Sequence, residues 1–272
     1  MSDWKRELTG RTLVVVAHAD DESVAFGALL QKMREAVVAI VTDGAPRDEY
    51  FWGRFGSREK YRAVRREEAR RATELAGVSE LALLAEEEER LEDQRLFLNL
   101  GTAYARLERL AERVRPEAIA TLAYEGGHPD HDSCSLLAAR LGGQFAVPVW
   151  EAPVYWRENG GAAGSAAGGE QWQAGGEGTL RVQRFIHESG AEVEVEMSGA
   201  ELERKLAMCA QYRSQGDFLR TFNVRREAMR PQVKYDYTKA PHAGRTNYEQ
   251  WQWWMSAREV CAKFKEFLEV GS

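Results

Sequence analysis

Apolar runs that alternate with amphipathic segments constrain the fold of this chain more than any other feature of its sequence. Residues 12–17 form an unbroken apolar, largely β-branched run, which is typical of a strand buried on both faces. The same pattern predicts strands over residues 12–17, 37–42, 81–85, 118–122 and 147–150, and helices over residues 22–35, 59–76, 96–114 and 132–141. Alternation of this kind predicts an α/β fold, with a mostly parallel sheet covered by helices on both faces.

The second half of the chain has a different character. Residues 159–178 contain eight glycines in twenty positions, a composition typical of a flexible loop. That loop is either a tolerated surface insertion or a mobile flap over a site. Residues 181–197 alternate apolar and polar side chains around Glu188-Ser189-Gly190, which predicts a hairpin. Residues 199–212 and 249–267 are predicted to be helices.

Two short polar segments follow the first and fourth predicted strands. His18, Asp20 and Asp21 come directly after the first strand, and the His-Pro-Asp-His sequence of residues 128–131 follows the fourth. Because ligands bind beyond the carboxyl ends of parallel strands, both segments are expected at one edge of the sheet. Imidazole with carboxylate is the ligand set of a hydrolytic Zn²⁺ site, and Fe²⁺ fits the same set.

A catalytic zinc takes about three protein ligands and leaves one position open. His18, Asp21 and His131 can supply those three ligands. Asp20 is adjacent to Asp21 in a turn, so the two side chains diverge. Asp20 is then placed to take a proton from water as a general base.

The other residues of the second segment suit a supporting role. His128 could donate a hydrogen bond, as imidazolium, to the oxyanion of a tetrahedral intermediate, and Asp130 could pair with His128 and keep it charged. Each segment also has a simpler interpretation, as a helix N-cap or as a surface turn. The occurrence of both segments after strands of one sheet favours the metal site.

Neighbouring residues receive structural interpretations. Glu22 is expected to orient the turn, and Asp132 is expected to be the N-cap of the following helix. His187 lies in the predicted hairpin and is not expected to be a ligand. Three tryptophans, at positions 251, 253 and 254, are expected either to pack in the core or to line a sugar pocket.

Composition narrows the partners and the compartment. The formal net charge of −6 disfavours non-specific binding to nucleic acid or to an anionic membrane surface. No apolar run is long enough for a transmembrane helix, and the first residues do not read as a signal peptide. Three widely spaced cysteines suit a reducing cytoplasm. The oligomeric state is left open.

The two segments resemble the hallmark motifs of the LmbE/PIG-L family of zinc-dependent N-deacetylases. The family pattern Ala-His-Pro-Asp-Asp-Glu corresponds to residues 17–22, and its later His-Pro-Asp-His pattern corresponds to residues 128–131. Weaker similarities lie at residues 42–47, 66–68, 76–78 and 211–215. The resemblance implies a Rossmann-like α/β fold and a single deacetylase domain over residues 1–272. Its parts are a core (1–155), the flexible Gly-rich loop (156–180) and a C-terminal extension with hairpin and helices (181–272).

The resemblance implies the same residues that are singled out above. It assigns metal binding to His18, Asp21 and His131. It assigns the general base to Asp20 and oxyanion stabilisation to His128 with Asp130. Two departures matter. The motif proline is replaced by Ala19, which loosens the turn. Some members place a tyrosine two residues before the first histidine of the second motif, where this chain has Gly126.

The predicted function is metal-dependent removal of an N-acyl group, most simply acetyl, from a small molecule. The resemblance implies an amino sugar or its conjugate as the substrate. Arg47, Arg54 and Arg58, with His242, are candidate substrate contacts. Two alternatives are kept: an HD-type metal phosphohydrolase, and a non-catalytic, metal-containing sugar-binding module. Phosphate release would identify the first, and turnover of any N-acetyl substrate would exclude the second.

Overall fold

The structure is a computed structural model that describes residues 4–86, 88, 90–158 and 179–270. Its helices are α1 (Trp4–Leu8), α2 (Asp21–Leu30), α3 (Glu49–Trp52), α4 (Arg58–Ala76), α5 (Leu100–Val114), α6 (Pro129–Phe145), α7 (Gly199–Cys209), α8 (Gly216–Leu219), α9 (Asn247–Gln250) and α10 (Ala257–Val270). Its strands are β1 (Arg11–Val16), β2 (Glu35–Ile40), β3 (Glu80–Leu83), β4 (Ala118–Leu122), β5 (Val149–Ala152), β6 (Tyr155–Glu158), β7 (Thr179–Val182), β8 (Val193–Glu194) and β9 (Ala228–Pro231).

The main sheet has seven strands in the order β3-β2-β1-β4-β5-β9-β8. The strands from β3 to β5 in this order are parallel, and β9 and β8 extend the sheet in antiparallel fashion. The central strand β1 lies between β2 and β4, with Val14 opposite both Val38 and Ala120. The predicted α/β fold with a mostly parallel sheet is therefore confirmed, and it excludes the helical HD-type alternative.

Helices cover both faces of the sheet because the strands are apolar on both sides. Val14 and Val16 of β1 point to one face, where they share a hydrophobic cluster with residues of α2, α4 and α7. Leu13 and Val15 point to the other face, against α5, α6 and α10. The loops at the carboxyl ends of β1, β3 and β4 meet at one edge of this sandwich, which is where the two polar motifs lie.

The predicted hairpin over residues 181–197 is wrong. β7 pairs with β6, whereas β8 pairs with β9, so the two ends of this segment belong to different sheets. Between them, the carboxylate of Glu192 accepts hydrogen bonds from the backbone N–H groups of Ser189 and Gly190, which satisfies a turn without strand pairing. Pairing with strands that are distant in the sequence therefore determines the structure of this segment, and the local alternation of apolar and polar residues does not.

The Gly-rich segment of residues 159–178 lies outside the described residues. The ends of the predicted loop (156–180) are not loop, because residues 156–158 belong to β6 and residues 179–180 belong to β7. The single helix predicted over residues 249–267 is instead two helices, α9 and α10. A left-handed turn separates them, with Gln252 at φ 57°.

Helix α6 begins three residues earlier than predicted, and its N-cap is His128, not Asp132. Pro129 occupies the first turn, where its missing N–H costs nothing, and the Nδ1 atom of His128 accepts a hydrogen bond from the N–H of Asp130. Asp132 instead contacts the loop that precedes the helix, because its Oδ1 accepts hydrogen bonds from the N–H groups of Glu125 and Gly126 at 3.0 Å each. It therefore fixes the loop that carries the second motif.

A buried ion pair fastens the C-terminal segment to helix α2. The ammonium of Lys205 lies 2.7 Å from Glu227 and donates to the carbonyl of Val24, while Glu227 accepts the N–H groups of Ala28 and Leu29. The ion pair thus binds the carbonyl of Val24 and the N–H of Ala28, two groups that would otherwise bond to each other within the helix. Because breaking a buried pair leaves one charge without compensation, this contact holds α2 and α7 together firmly. In the part of the chain that is described, no helix combines the length and apolarity needed to span a bilayer.

Candidate metal centre and its cleft

The turn after β1 is strained and presents the Asp20 side chain to the cleft. Asp20 has φ 125°, in the left-handed region that non-glycine residues rarely occupy. It stands at the N-cap of α2, but its side chain makes no capping hydrogen bond. Glu22 holds the turn, because its carboxylate accepts the N–H of Asp20 and the hydroxyls of Ser23 and Tyr212. The N-cap interpretation of this motif therefore does not account for Asp20.

Three donor side chains converge at the metal position expected from the sequence. His131 Nε2 lies 3.2 Å from Asp21 Oδ1 and 3.3 Å from His18 Nδ1. Asp21 Oδ2 lies 3.6 Å from His18 Nδ1 and is also fixed by the N–H of His18. Ligand atoms of these buried residues all lie within 4.8 Å of one another. A cation with affinity for nitrogen and oxygen donors fits between them.

His18 faces a second group of acids with its other ring nitrogen. Its Nε2 lies 3.2 Å from Asp130 and 3.3 Å from Asp93, and a metal could also be held by His18, Asp93, His128 and Asp130. Asp130 already accepts the N–H groups of Gln94 and Leu96. A metal-bound imidazole typically donates its free N–H to a carboxylate. The Nδ1 side of His18, which faces Asp21 and His131, is therefore the better candidate for a metal, and Asp130 and Asp93 are placed to orient the ring.

His128 differs from expectation in the carboxylate that its ring faces. Its Nδ1 accepts the N–H of Asp130, and its Nε2 faces Asp93 at 3.5 Å, whereas the Asp130 carboxylate is 3.9 Å away. Burial and the neighbouring His18 lower the pKa of His128. Because Nδ1 is an acceptor, the ring carries its proton on Nε2, which faces Asp93, so Asp93 and not Asp130 is its carboxylate partner.

Asp20 lies beside Arg65. The guanidinium Nη1 of Arg65 is 3.3 Å from Asp20 Oδ2, and both side chains are buried. Burial raises the pKa of Asp20 to about 7, with Arg65 opposing the rise and Asp21 adding to it. A carboxylate in this environment has the basicity that proton abstraction near neutrality requires.

The glycines before His128 leave no room for the tyrosine that some members of the LmbE/PIG-L family carry there. Gly126 has φ 69°, and a side chain there would press on Thr246 and Pro241. A Cβ atom on Gly127 would collide with the carbonyl oxygen of Tyr155. Tyr124 points away, because its hydroxyl donates to the carbonyl of Lys239. The loop therefore presents the imidazole of His128 to the cleft, and no tyrosine of the same motif lies beside it.

Asp93 and Arg65 line the cleft but were not singled out from the sequence. Asp93 lies in the loop that follows β3, so the strand-edge argument that located the two motifs also applies to it. Its N–H donates to Asp43, which fixes the loop. Arg65 lies on α4, and a lone arginine in a charged helix carries no comparable signal.

The four predicted substrate contacts lie outside the cleft and have other partners. Arg47 pairs with Glu92, Arg54 donates to the carbonyl of Ser214, and Arg58 pairs with Asp43. His242 packs near Trp156 and behind Gly126. Glu92 and Asp43 would be costly to bury without a positive partner. Arg47 and Arg58 therefore stabilise the local structure. Exposed His187 is likewise outside the cleft.

The cleft has two parts, and we call them the floor and the rim. The floor is the buried polar part, with the ligand triad, Asp20, Arg65, Asp93 and His128. The rim is the half-buried part, and its members are Phe51, Leu180, Gln215, Phe218, Thr221, Trp251 and Trp253. Together they enclose a cleft that is open to solvent at its mouth.

Comparison with known proteins shows what this arrangement is similar to. Residues 13–141 match the family described as PIG-L, GlcNAc-PI de-N-acetylase. This match confirms the resemblance that the motifs indicated, over that part of the chain. It is 28% identical over 147 residues to a probable N-acetyl-alpha-D-glucosaminyl L-malate deacetylase 2 of Bacillus cereus, an alignment that covers 52% of this chain and 64% of that protein.

Solved structures share the fold at low sequence identity. The zinc-inhibited form of teicoplanin deacetylase Orf2 superposes with a TM-score of 0.61 at 16% identity, covering 83% of this chain and 99% of that one. The A40926 pseudoaglycone deacetylase Dbv21 gives a TM-score of 0.58 at 17% identity, covering 84% and 98%. The fold of these deacetylases therefore extends beyond the 13–141 domain into the C-terminal segment of this chain.

Proposed function

We propose that the protein is a metal-dependent N-deacetylase that hydrolyses the N-acetyl group of an amino sugar or its conjugate. The observation that carries the proposal is the convergence of His18, Asp21 and His131 beside a carboxylate, Asp20, that is not part of that triad. The family description and the named relative support the amide-hydrolysing class and a sugar-like substrate. Zn²⁺ is the metal we propose, and Fe²⁺ suits the same donors.

Each side chain of the floor has a task in this reaction. When bound, the metal supplies a Lewis acid that polarises the amide carbonyl and activates water. Asp20 takes a proton from the attacking water, whose oxygen bonds to the carbonyl carbon. The single Nε2–H of neutral His128, which faces Asp93 before the reaction, then donates to the developing oxyanion instead. The C–N bond then breaks, Asp20 returns its proton to the leaving amine, and acetate and a free amine are the products.

Asp93 is proposed to position both imidazoles. Its Oδ1 lies 3.3 Å from His18 Nε2 and 3.5 Å from His128 Nε2, and it has no hydrogen-bond partner that meets strict geometry. An acceptor that reaches both rings keeps His18 turned toward the triad and His128 in the tautomer that donates. The same oxygen can accept from a sugar hydroxyl in the cleft.

The test is a deacetylation screen on the full chain with measured metal content. N-acetyl sugars and their conjugates are incubated with the Zn²⁺-loaded and Fe²⁺-loaded protein, and acetate and amine are quantified together. Equal amounts of the two products, lost on chelation and restored by metal, are expected. Stoichiometric metal without turnover of any N-acetyl compound would instead favour the sugar-binding module.

A further inference from the structure

The lining of the cleft separates by charge as well as by burial. All the charged side chains that line its described part are buried in the floor. Every half-buried lining residue is uncharged, and five of the seven are aromatic or aliphatic: Phe51, Leu180, Phe218, Trp251 and Trp253. A group of substrate that extends from the floor toward solvent therefore passes between apolar side chains.

Contacts behind the rim fix its aromatic rings in place. The rings of Trp251 and Trp253 meet edge to face at 6.4 Å, and Trp253 contacts the ring of His128 at 5.0 Å. On another side, Phe218 packs against Tyr155 at 5.6 Å and Phe222 at 5.1 Å. Rings that are held before binding lose little conformational entropy when a ligand arrives. The rim is therefore suited to hold an apolar group and not only to exclude water.

The rim offers poor recognition for an anionic group. In the described lining of the cleft, Arg65 is the one arginine or lysine, and it is buried against Asp20. The arginines near the cleft are already paired, since Arg47 contacts Glu92 while Arg58 and Arg62 contact Asp43. An anionic conjugate would have to desolvate its charge beside uncharged side chains, which is unfavourable.

We propose that the rim is a subsite for an uncharged apolar group, aromatic or alkyl, that the substrate carries beyond its N-acetyl sugar. This inference rests on the proposed function, because it names the substrate class of the same cleft. It separates this chain from its malate-conjugate relative, whose name specifies an anionic aglycone.

The experiment compares three glycosides of N-acetylglucosamine on the metal-loaded full chain: methyl, benzyl and L-malyl. We expect kcat/KM for the benzyl glycoside to exceed that for the methyl glycoside by about 10-fold, the scale of one well-placed aromatic contact. The malyl glycoside is expected to be no better than the methyl one. Equal values for benzyl and methyl, or a preference for malyl, would overturn the inference while leaving the deacetylase proposal intact.

Variants locate the effect within the rim. Trp251→Ala should lower kcat/KM for the benzyl glycoside about 10-fold and change the methyl value less than about twofold, since the floor is untouched. Phe218→Leu should show the same selectivity with a smaller loss. Trp254→Ala is the matched control, because Trp254 stacks outside the cleft on Phe97 and Arg95. Equal losses on both glycosides in Trp251→Ala and Phe218→Leu would assign the rim a structural role and contradict the inference.

Binding by calorimetry keeps the two proposals separate. Tighter binding of the benzyl than of the methyl glycoside is expected in the wild type whether or not either compound turns over. No turnover with selective benzyl binding would reject the deacetylase and support the subsite. No selectivity in either binding or turnover would reject the subsite.

Discussion

The floor and the rim of the cleft are built on opposite principles. The floor concentrates charge where water is scarce: Asp21 and Asp93 are buried against the imidazole of His18, and Asp20 is buried beside Arg65. The rim places apolar side chains where water is available, with Trp253 half-buried over His128. Both arrangements are unfavourable for an isolated domain. The proposed function accounts for both arrangements, with a metal and an amide in the floor and the remainder of the substrate in the rim.

The difference teaches that chemistry and selectivity can be changed separately here. Apart from Arg65 on α4, the floor residues lie in the loops at the carboxyl ends of β1, β3 and β4 or in the first turn of the helix that follows, so their positions are tied to the core. Rim residues come from the segments around Phe51, Leu180, Phe218 and Trp251, which lie far apart in the sequence. Substitutions in the floor should abolish activity on all substrates, whereas those in the rim should reorder the substrates.

The largest expected effect separates two adjacent floor residues. Asp20→Asn should retain metal and lose roughly 10²–10⁴-fold in kcat, because it removes the general base without changing shape. Asp21→Asn and His131→Ala, in contrast, should lose both activity and metal. Metal content by mass spectrometry and steady-state kinetics measure the two properties. A metal-free Asp20→Asn beside a metal-loaded Asp21→Asn would exchange their roles.

Metal removal should distinguish floor from rim by stability. A ligand at about 100 times its Kd stabilises the native state by about 2.7 kcal/mol, so chelation should lower the thermal midpoint of the wild type. Trp251→Ala should show the same decrease on chelation, and His131→Ala should show none. A rim variant that no longer responds to chelation would break the separation between the two regions.

Asp93→Asn tests the least expected member of the floor. Loss of a carboxylate that orients a ligating histidine typically costs about 10–100-fold in metal affinity or activity. The loss should fall on every glycoside equally. Asp236→Asn is the control, because Asp236 pairs with Lys239 at the surface and away from the cleft; this variant should change kcat/KM less than about twofold. Equal effects of the two variants would deny Asp93 a specific role.

The sequence predicted the floor better than the rim for a physical reason. The ligand triad follows from motif composition and strand order, both of which are local properties. The start of α6 was misplaced because a histidine and a proline supply the cap in place of Asp132. The pairing of β7 with β6, the partner of His128 and the rim all depend on contacts between distant segments, and no periodicity encodes those. The arginines at positions 47, 54 and 58 were misassigned because charge alone does not reveal an internal partner.

The smallest expected effect concerns a buried acid outside the metal cleft, Glu125. Its carboxylate accepts the N–H of Val154, and burial raises its pKa well above its ordinary value of 4.5, with Asp132 adding to the rise. Glu125 is thus protonated in the native state, whereas the unfolded chain releases the proton above about pH 4.5. The stability that protonation provides is present at low pH and is lost as pH rises toward the native pKa.

Glu125→Gln imitates the protonated acid at every pH. Its unfolding free energy should therefore exceed that of the wild type by an amount that grows between about pH 5 and pH 8, at no more than about 1.4 kcal/mol per pH unit. Denaturant unfolding at four pH values measures the difference in unfolding free energy between variant and wild type. For the control Glu188→Gln, on an exposed loop, this difference should not change with pH. Glu125 shares the burial of the floor carboxylates but has no metal or substrate to contact. If its replacement gave no pH-dependent gain, burial of an acid would not be costly in this protein, and the functional explanation of the charged floor would lose its main support.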